Sequence, residues 1–192
     1  SRGFWPGLCS SIKHSSRFAS FTLLSKGDYP CEMNISLPFC LVNNNVAKDR
    51  LEIMPAYWWM YNMYAIARNT SKYLNRDTRK RRIQNIEFET LAPDTIEEII
   101  AACKMLEVWT AKSYLRSQNE DADKYEYHEL RALGRDLMTK PEIVNELEIL
   151  GENIEKSDRK VVILKTYNAY HAYRNMIVIY AMDAITKYRT SR

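Results

Sequence analysis

The sequence predicts a mainly α protein: a helical domain of about five helices, two of them long and aromatic-rich, preceded by about one coil of a triangular β-solenoid. Three observations predict it. Eleven of the twelve residues from Ala56 to Ala67 are apolar or aromatic, which marks a helix buried on most faces rather than one with a single apolar stripe. A second segment, Ser157 to Tyr188, has no Gly or Pro and places Val161, Leu164, Tyr167, Tyr170, Ile177, Ala181 and Ile185 at helical steps. The first forty residues hold three of the five glycines and repeat with a six-residue phase. The expected division is residues 1–40, a terminal coil with its connector, and residues 41–192, an all-α domain.

In the opening segment, residues 6–11 (PGLCSS), 12–17 (IKHSSR) and 18–23 (FASFTL) align as three hexads. The first position is apolar at Ile12 and Phe18, the fifth is small and hydroxylated at Ser10, Ser16 and Thr22, and the second is small at Gly7 and Ala19. One inward apolar residue per side, with a small residue at the corner, suits a three-sided coil stacked in parallel. One turn cannot bury its own interior, so such a coil needs neighbours. A Ser-rich surface loop with an accidental period is the alternative that the spacing leaves open.

Further along, residues 26–30 form a turn signal. Residues 35–42, carrying Pro38, read as an extended connector or edge strand, and Asn43–Asn45 as a boundary. Residues 46–54 form a short strand leading to Pro55, whose fixed φ suits a first helical turn. The central helix runs from Pro55 into the basic run Arg76–Arg82, five cations in seven residues. That run reads as a solvated helix end, where cations are favoured, with phosphate contact as the second reading. Asp94 and Glu97 have capping-box spacing ahead of a stripe formed by Ile96, Ile99, Ile100, Cys103, Leu106 and Trp109. A third helix is expected over about 123–138, with Gly134 a local weakness. A short fourth follows through Ile143, Leu147 and Leu150 and stops at Gly151. The Ser157–Tyr188 rod should pack along the first, with Asn62, Asn168, His171 and Asp183 as partners for buried tyrosine hydroxyls.

The net charge of +4 is too small to imply nucleic acid, which is not expected as a partner. No stretch of eighteen apolar residues occurs, so no membrane is expected either. The four cysteines, Cys9, Cys31, Cys40 and Cys103, show no C-x-x-C pair, which fits free thiols in a reducing cytoplasm. Three residues before His14, His128 and His171 stand Ser11, Tyr125 and Asn168; without Glu-x-x-His there is no di-iron centre of that type. No metal site and no cofactor is assigned, and no nucleophile elbow, Walker loop or dinucleotide fingerprint occurs. His171, between Tyr170 and Tyr173, reads as a satisfied core or interface histidine.

The joined pattern GFWPGLCSSIKHSSRFASFTLLSKGDYP, LPFCLVNNN, MPAYWWMYNMYAIARN and IEFETLAPDTIEEI resembles the C-terminal part of an uncharacterised family of large bacterial proteins. Those carry a left-handed β-helix of hexapeptide repeats followed by a helical region, and the resemblance covers most of residues 3–110. It implies that the coil is the end of a left-handed β-helix, that the β-helix proper lies upstream as this chain's partner, and that the intact protein is transferase-like. The chain would then be a fragment with no activity of its own. It would serve as a helical accessory or capping domain of an acyl- or nucleotidyltransferase acting on a sugar or nucleotide sugar. In such proteins a coil histidine takes the proton from the attacking group, which makes His14 the candidate catalytic residue; a solvent-facing histidine is the alternative. The second functional reading is a non-enzymatic scaffold or oligomerisation module, homo-oligomeric or binding a protein partner through the aromatic-rich helices. Exposed aromatics on residues 55–67 favour the second reading, and a cleft joining His14 to the helices favours the first.

Overall fold

Six strands of two residues open the chain: β1 (Trp5–Pro6), β2 (Ser11–Ile12), β3 (Arg17–Phe18), β4 (Leu23–Leu24), β5 (Asp28–Tyr29) and β6 (Asn34–Ile35). The computed structural model describes residues 2–81, 83–84 and 86–190. The first three strands each lie parallel to one of the next three, with Trp5 opposite Leu23, Ser11 opposite Asp28 and Arg17 opposite Asn34. The chain turns before β1 at Gly3 and between later strands at Phe21 and Phe39 through left-handed backbone, at φ 68°, 56° and 54°. The Phe21 and Phe39 rings stack at 4.7 Å, and the Phe21 ring occupies the space a Gly3 side chain would need. A residue without Cβ is therefore required there. Leu24, Tyr29 and Ile35 point inward and are buried.

One side of this winding grows into a larger sheet. β7 (Leu41–Asn45) pairs with β4, and β8 (Arg50–Met54) returns antiparallel to it. From far along the chain come β9 (Ile149–Leu150) and β10 (Lys160–Ile163), giving the strand order β1-β4-β7-β8-β10-β9. β10 runs parallel to β8, with Val161 opposite Leu51, and β9 is antiparallel to β10.

The fold is therefore mixed α/β, 48% helix and 16% strand, and the expected mainly α domain preceded by a left-handed β-helix coil is corrected. The opening strands are not a separate coil, because β1 and β4 are strands of the six-stranded sheet that β8, β10 and β9 complete. The segment read as a second rod from Ser157 begins instead with β10. Val161, Val162 and Ile163 are all buried there, and a short β-branched apolar run satisfies a buried strand as well as a helix face.

The helices are α1 (Tyr57–Tyr61), α2 (Met63–Arg76), α3 (Pro93–Ser117), α4 (Tyr127–Leu137), α5 (Pro141–Val144) and α6 (Thr166–Thr190). The expected continuous rod from Pro55 is broken at Asn62, whose φ of −141° is not helical. Of residues 56–67 only Ala56, Trp58 and Ile66 are buried, so this rod is not the centre of the core. That place belongs to α3, which buries thirteen residues. Pro93 opens α3, and the Thr95 hydroxyl accepts from the Ala92 N–H at 2.9 Å. The expected capping pair is unused, since Asp94 is held by Arg2 at 2.6 Å. The short helix expected to reach Leu150 ends at Val144, and Leu150 is in β9.

The main core gathers Leu51 and Ile53 of β8, Ile99 and Leu106 of α3, and Tyr173 and Met176 of α6. Tyr173 is fully buried; its hydroxyl donates to the Pro38 carbonyl at 2.5 Å and accepts from the Ala56 N–H at 3.3 Å. One phenol thus ties α6 to both turns that flank the central strands. Its partners are backbone groups, not the polar side chains expected from the sequence.

Candidate functional site

α6 has two unlike halves. Its first half buries Ala169, Tyr170, Ala172, Tyr173 and Met176. From Val178 to Thr190 no residue is buried. Val178, Met182, Ile185 and Tyr188 are 56%, 62%, 56% and 58% exposed, and their steps of four, three and three residues put them along one side of the helix. α2 and the residue before its cap behave similarly: Tyr61, Met63, Tyr64 and Leu74 are exposed. Arg68, Lys72 and Arg76 follow at four-residue steps on α2, and the Lys72 ammonium is held below its usual range chiefly by the charge of Arg68. The helix ends at Arg76, and beyond it Arg79 is held by Asp77 at 2.7 and 2.8 Å. Arg82 lies outside the described residues.

A second feature is polar and internal. Glu107 sits in the buried face of α3, 3% exposed. Gly134 makes this possible: a Cβ there would collide with the Glu107 backbone, so α4 crosses α3 at closest approach. Arg131 and Arg135, on either side of that glycine, then reach the carboxylate at 2.9 and 3.4 Å. The Tyr170 hydroxyl donates to it at 3.0 Å, and Arg174 donates to the Tyr170 oxygen at 3.3 Å while lying over the ring at 5.8 Å. Burial pushes the Tyr170 hydroxyl above its ordinary range, with the bond to Glu107 adding to it. One turn earlier on α3, burial pushes the Cys103 thiol up to about 12, and the Glu107 charge acts in the same sense. A cavity of about 300 Å³ opens beside this cluster. Sequence reasoning missed Glu107, and the signal was there: a lone carboxylate between Leu106 and Val108 in an apolar stretch.

His14 lies in the turn between β2 and β3, exposed, and among the described residues no hydrogen bond reaches it. A cavity of about 410 Å³ close by is lined by Ser15, Arg17, Glu32 and the loop 153–156, and His14 does not line it. That loop pairs along β6, with the Asn34 N–H donating to the Ile154 carbonyl at 2.6 Å. His171 is half-buried with Nε2 2.9 Å from the Met138 carbonyl. Among the described residues no group of three or more His, Cys, Asp or Glu is placed to hold a metal, and no helix is long and apolar enough to cross a membrane.

No family model matches the chain, and no solved structure matches it. It is 39% identical over 188 residues to an uncharacterised protein of Treponema pallidum (strain Nichols), which covers 97% of this chain and 25% of that protein. The chain thus spans about a quarter of the length of the curated relative it matches. These findings correct the resemblance drawn from the sequence. The relative is described only as uncharacterised, with nothing in that description of hexapeptide repeats, a left-handed β-helix or transferase activity. The mixed sheet is not the expected helical bundle appended to such repeats.

Proposed function

We propose that the protein is a non-enzymatic interaction module whose helices α2 and α6 hold a helix of a partner protein. The far half of α6 carries this reading: Val178, Met182 and Ile185 form an exposed apolar stripe along one side of it. Covering such side chains is worth about 1.5–3 kcal/mol each, and contiguous exposed apolar surface marks interaction sites.

Charge chooses the partner. α2 carries Arg68, Lys72 and Arg76 and no acidic residue, and α6 beyond Val178 carries Lys187 and Arg189 against Asp183. A second copy would bring cationic arm against cationic arm, whereas an amphipathic helix with carboxylates flanking its apolar stripe complements both features. Tyr61 and Tyr64 beside the cations of α2 could stack on bases, but nucleic acid would leave the aliphatic Val178, Met182 and Ile185 uncovered, so a protein helix fits the whole surface better. A cytoplasmic setting belongs to the same proposal and is supported by the four free cysteines.

The test is titration of the protein with a synthetic helical peptide bearing leucine on one face and glutamate on the other, beside its lysine counterpart. Binding of the glutamate peptide that weakens at least tenfold in a Met182→Asp/Ile185→Asp double variant is the expected result. Equal binding of the lysine peptide, concentration-dependent dimers in light scattering, or tighter and steeply salt-dependent binding of a single-stranded RNA oligonucleotide overturns it.

A further inference from the structure

We infer that the cavity beside Glu107 is a binding site for a small organic anion, an acidic head group on a hydrocarbon body. Its walls divide by chemistry. Ile100, Ile177 and Val178 give an apolar side, and Lys104, Arg131 and Arg174 a cationic one.

Glu107 is the only carboxylate among the lining residues, and its oxygens are already taken by Arg131, Arg135 and Tyr170. It therefore neutralises part of the cationic wall and leaves the rest in excess. Arg174 donates to an uncharged phenol and to no carboxylate among the described residues. The Tyr170 ring and hydroxyl fix the guanidinium in place, so its remaining N–H groups are oriented before any ligand arrives. A planar fork of that kind matches a carboxylate or a phosphate.

A cationic ligand is excluded by the excess positive charge, and a metal by the single carboxylate. An uncharged apolar ligand would leave the fixed Arg174 fork facing it without a partner. The volume of about 300 Å³ lies at the small end of ligand pockets, which suits a short-chain acid or its phosphate ester rather than a nucleotide cofactor. This site needs no partner protein, and although Val178 belongs both to its apolar wall and to the exposed stripe, Arg174→Gln tests it without touching that stripe.

The experiment is calorimetric titration of the protein with sodium octanoate, octyl phosphate, octanol and inorganic phosphate. Octanoate and octyl phosphate are expected to bind, and octanol and inorganic phosphate at least tenfold more weakly. Arg174→Gln should weaken octanoate at least tenfold and Arg174→Lys should retain part of the affinity, with circular dichroism confirming that both remain folded. Lys104→Gln, at an exposed position, is the second variant and should weaken binding several-fold. Octanoate binding that is absent, that is matched by octanol, or that survives Arg174→Gln unchanged overturns the assignment. Inorganic phosphate binding as tightly as octyl phosphate also overturns it, because the apolar wall then has no role.

Discussion

The two halves of α6 are similar in composition and opposite in environment. Tyr170, Tyr173 and Met176 in the first half are buried, while Met182, Ile185 and Tyr188 in the second are more than half exposed. The first half has α3, α1, α5 and the turns at Pro38 and Ala56 against it. The second half is exposed from Ala181 onward, one side of it facing Trp59, Ile66 and residues 89–93 across an open cavity. Burial is thus not a property of a residue's hydrophobicity but of whether another element reaches it, and the exposed half is the part of this helix still able to bind something.

The sharpest way to break this comparison is to truncate one residue in each half. Tyr173→Ala opens a core cavity and leaves the Pro38 carbonyl and Ala56 N–H unpaired, so denaturant melts should show a loss of about 3–5 kcal/mol. Ile185→Ala should stay within about 0.5 kcal/mol of the parent. Comparable losses at both positions would mean that the far half is packed after all.

Next in size is Glu107→Gln, which leaves two guanidinium groups facing a neutral amide and weakens the Tyr170 anchor of the first half to a bond with an uncharged acceptor. Only the carboxylate is buried, the Arg131 and Arg135 side chains being 25% and 58% exposed, so losing its charge-assisted hydrogen bonds should cost about 1.5–3 kcal/mol, read from the same melts. Gly134→Ala should cost about 1–3 kcal/mol, because the added Cβ forces α4 away from the Glu107 backbone. If helix propensity alone governed that position, the substitution would instead stabilise by about 1 kcal/mol.

The smallest expected effect is chemical. Burial pushes the Cys40 thiol up to about 12, and Cys103 stands equally high. Both stay protonated at pH 8, and the thiolate is the reactive form. A thiol reagent should label exposed Cys9 rapidly in the native protein and reach Cys40 only on unfolding. Rapid labelling of Cys40 in the native state would show that the core around it opens readily. His14→Ala, at an exposed position, should leave the melting midpoint within the error of the measurement.

Local signals located several elements. The stripe from Ile96 to Trp109 placed α3, and the helix expected over about 123–138 holds α4. The apolar run at Ala56–Ala67 misled, because it counts hydrophobic residues without saying what lies opposite them. β10 was missed for a related reason: Val161 and Leu164 fit helical spacing, and only pairing with β8, over a hundred residues earlier, makes that stretch a strand. At the candidate sites, Glu107 was visible as an anomaly in an apolar stripe. Its partners Arg131, Arg135 and Tyr170 were not visible, since they converge only when α4 and α6 cross α3.

By itself the sequence determined where helices can start and stop, through prolines, small residues and apolar spacing, because those preferences act over a few residues. Only the tertiary structure decided which apolar segments are covered, which strands join the sheet and which charges meet. Those outcomes depend on contacts between distant parts of the chain. The exposed stripe on α6 and the cationic cavity beside Glu107 both belong to that second kind.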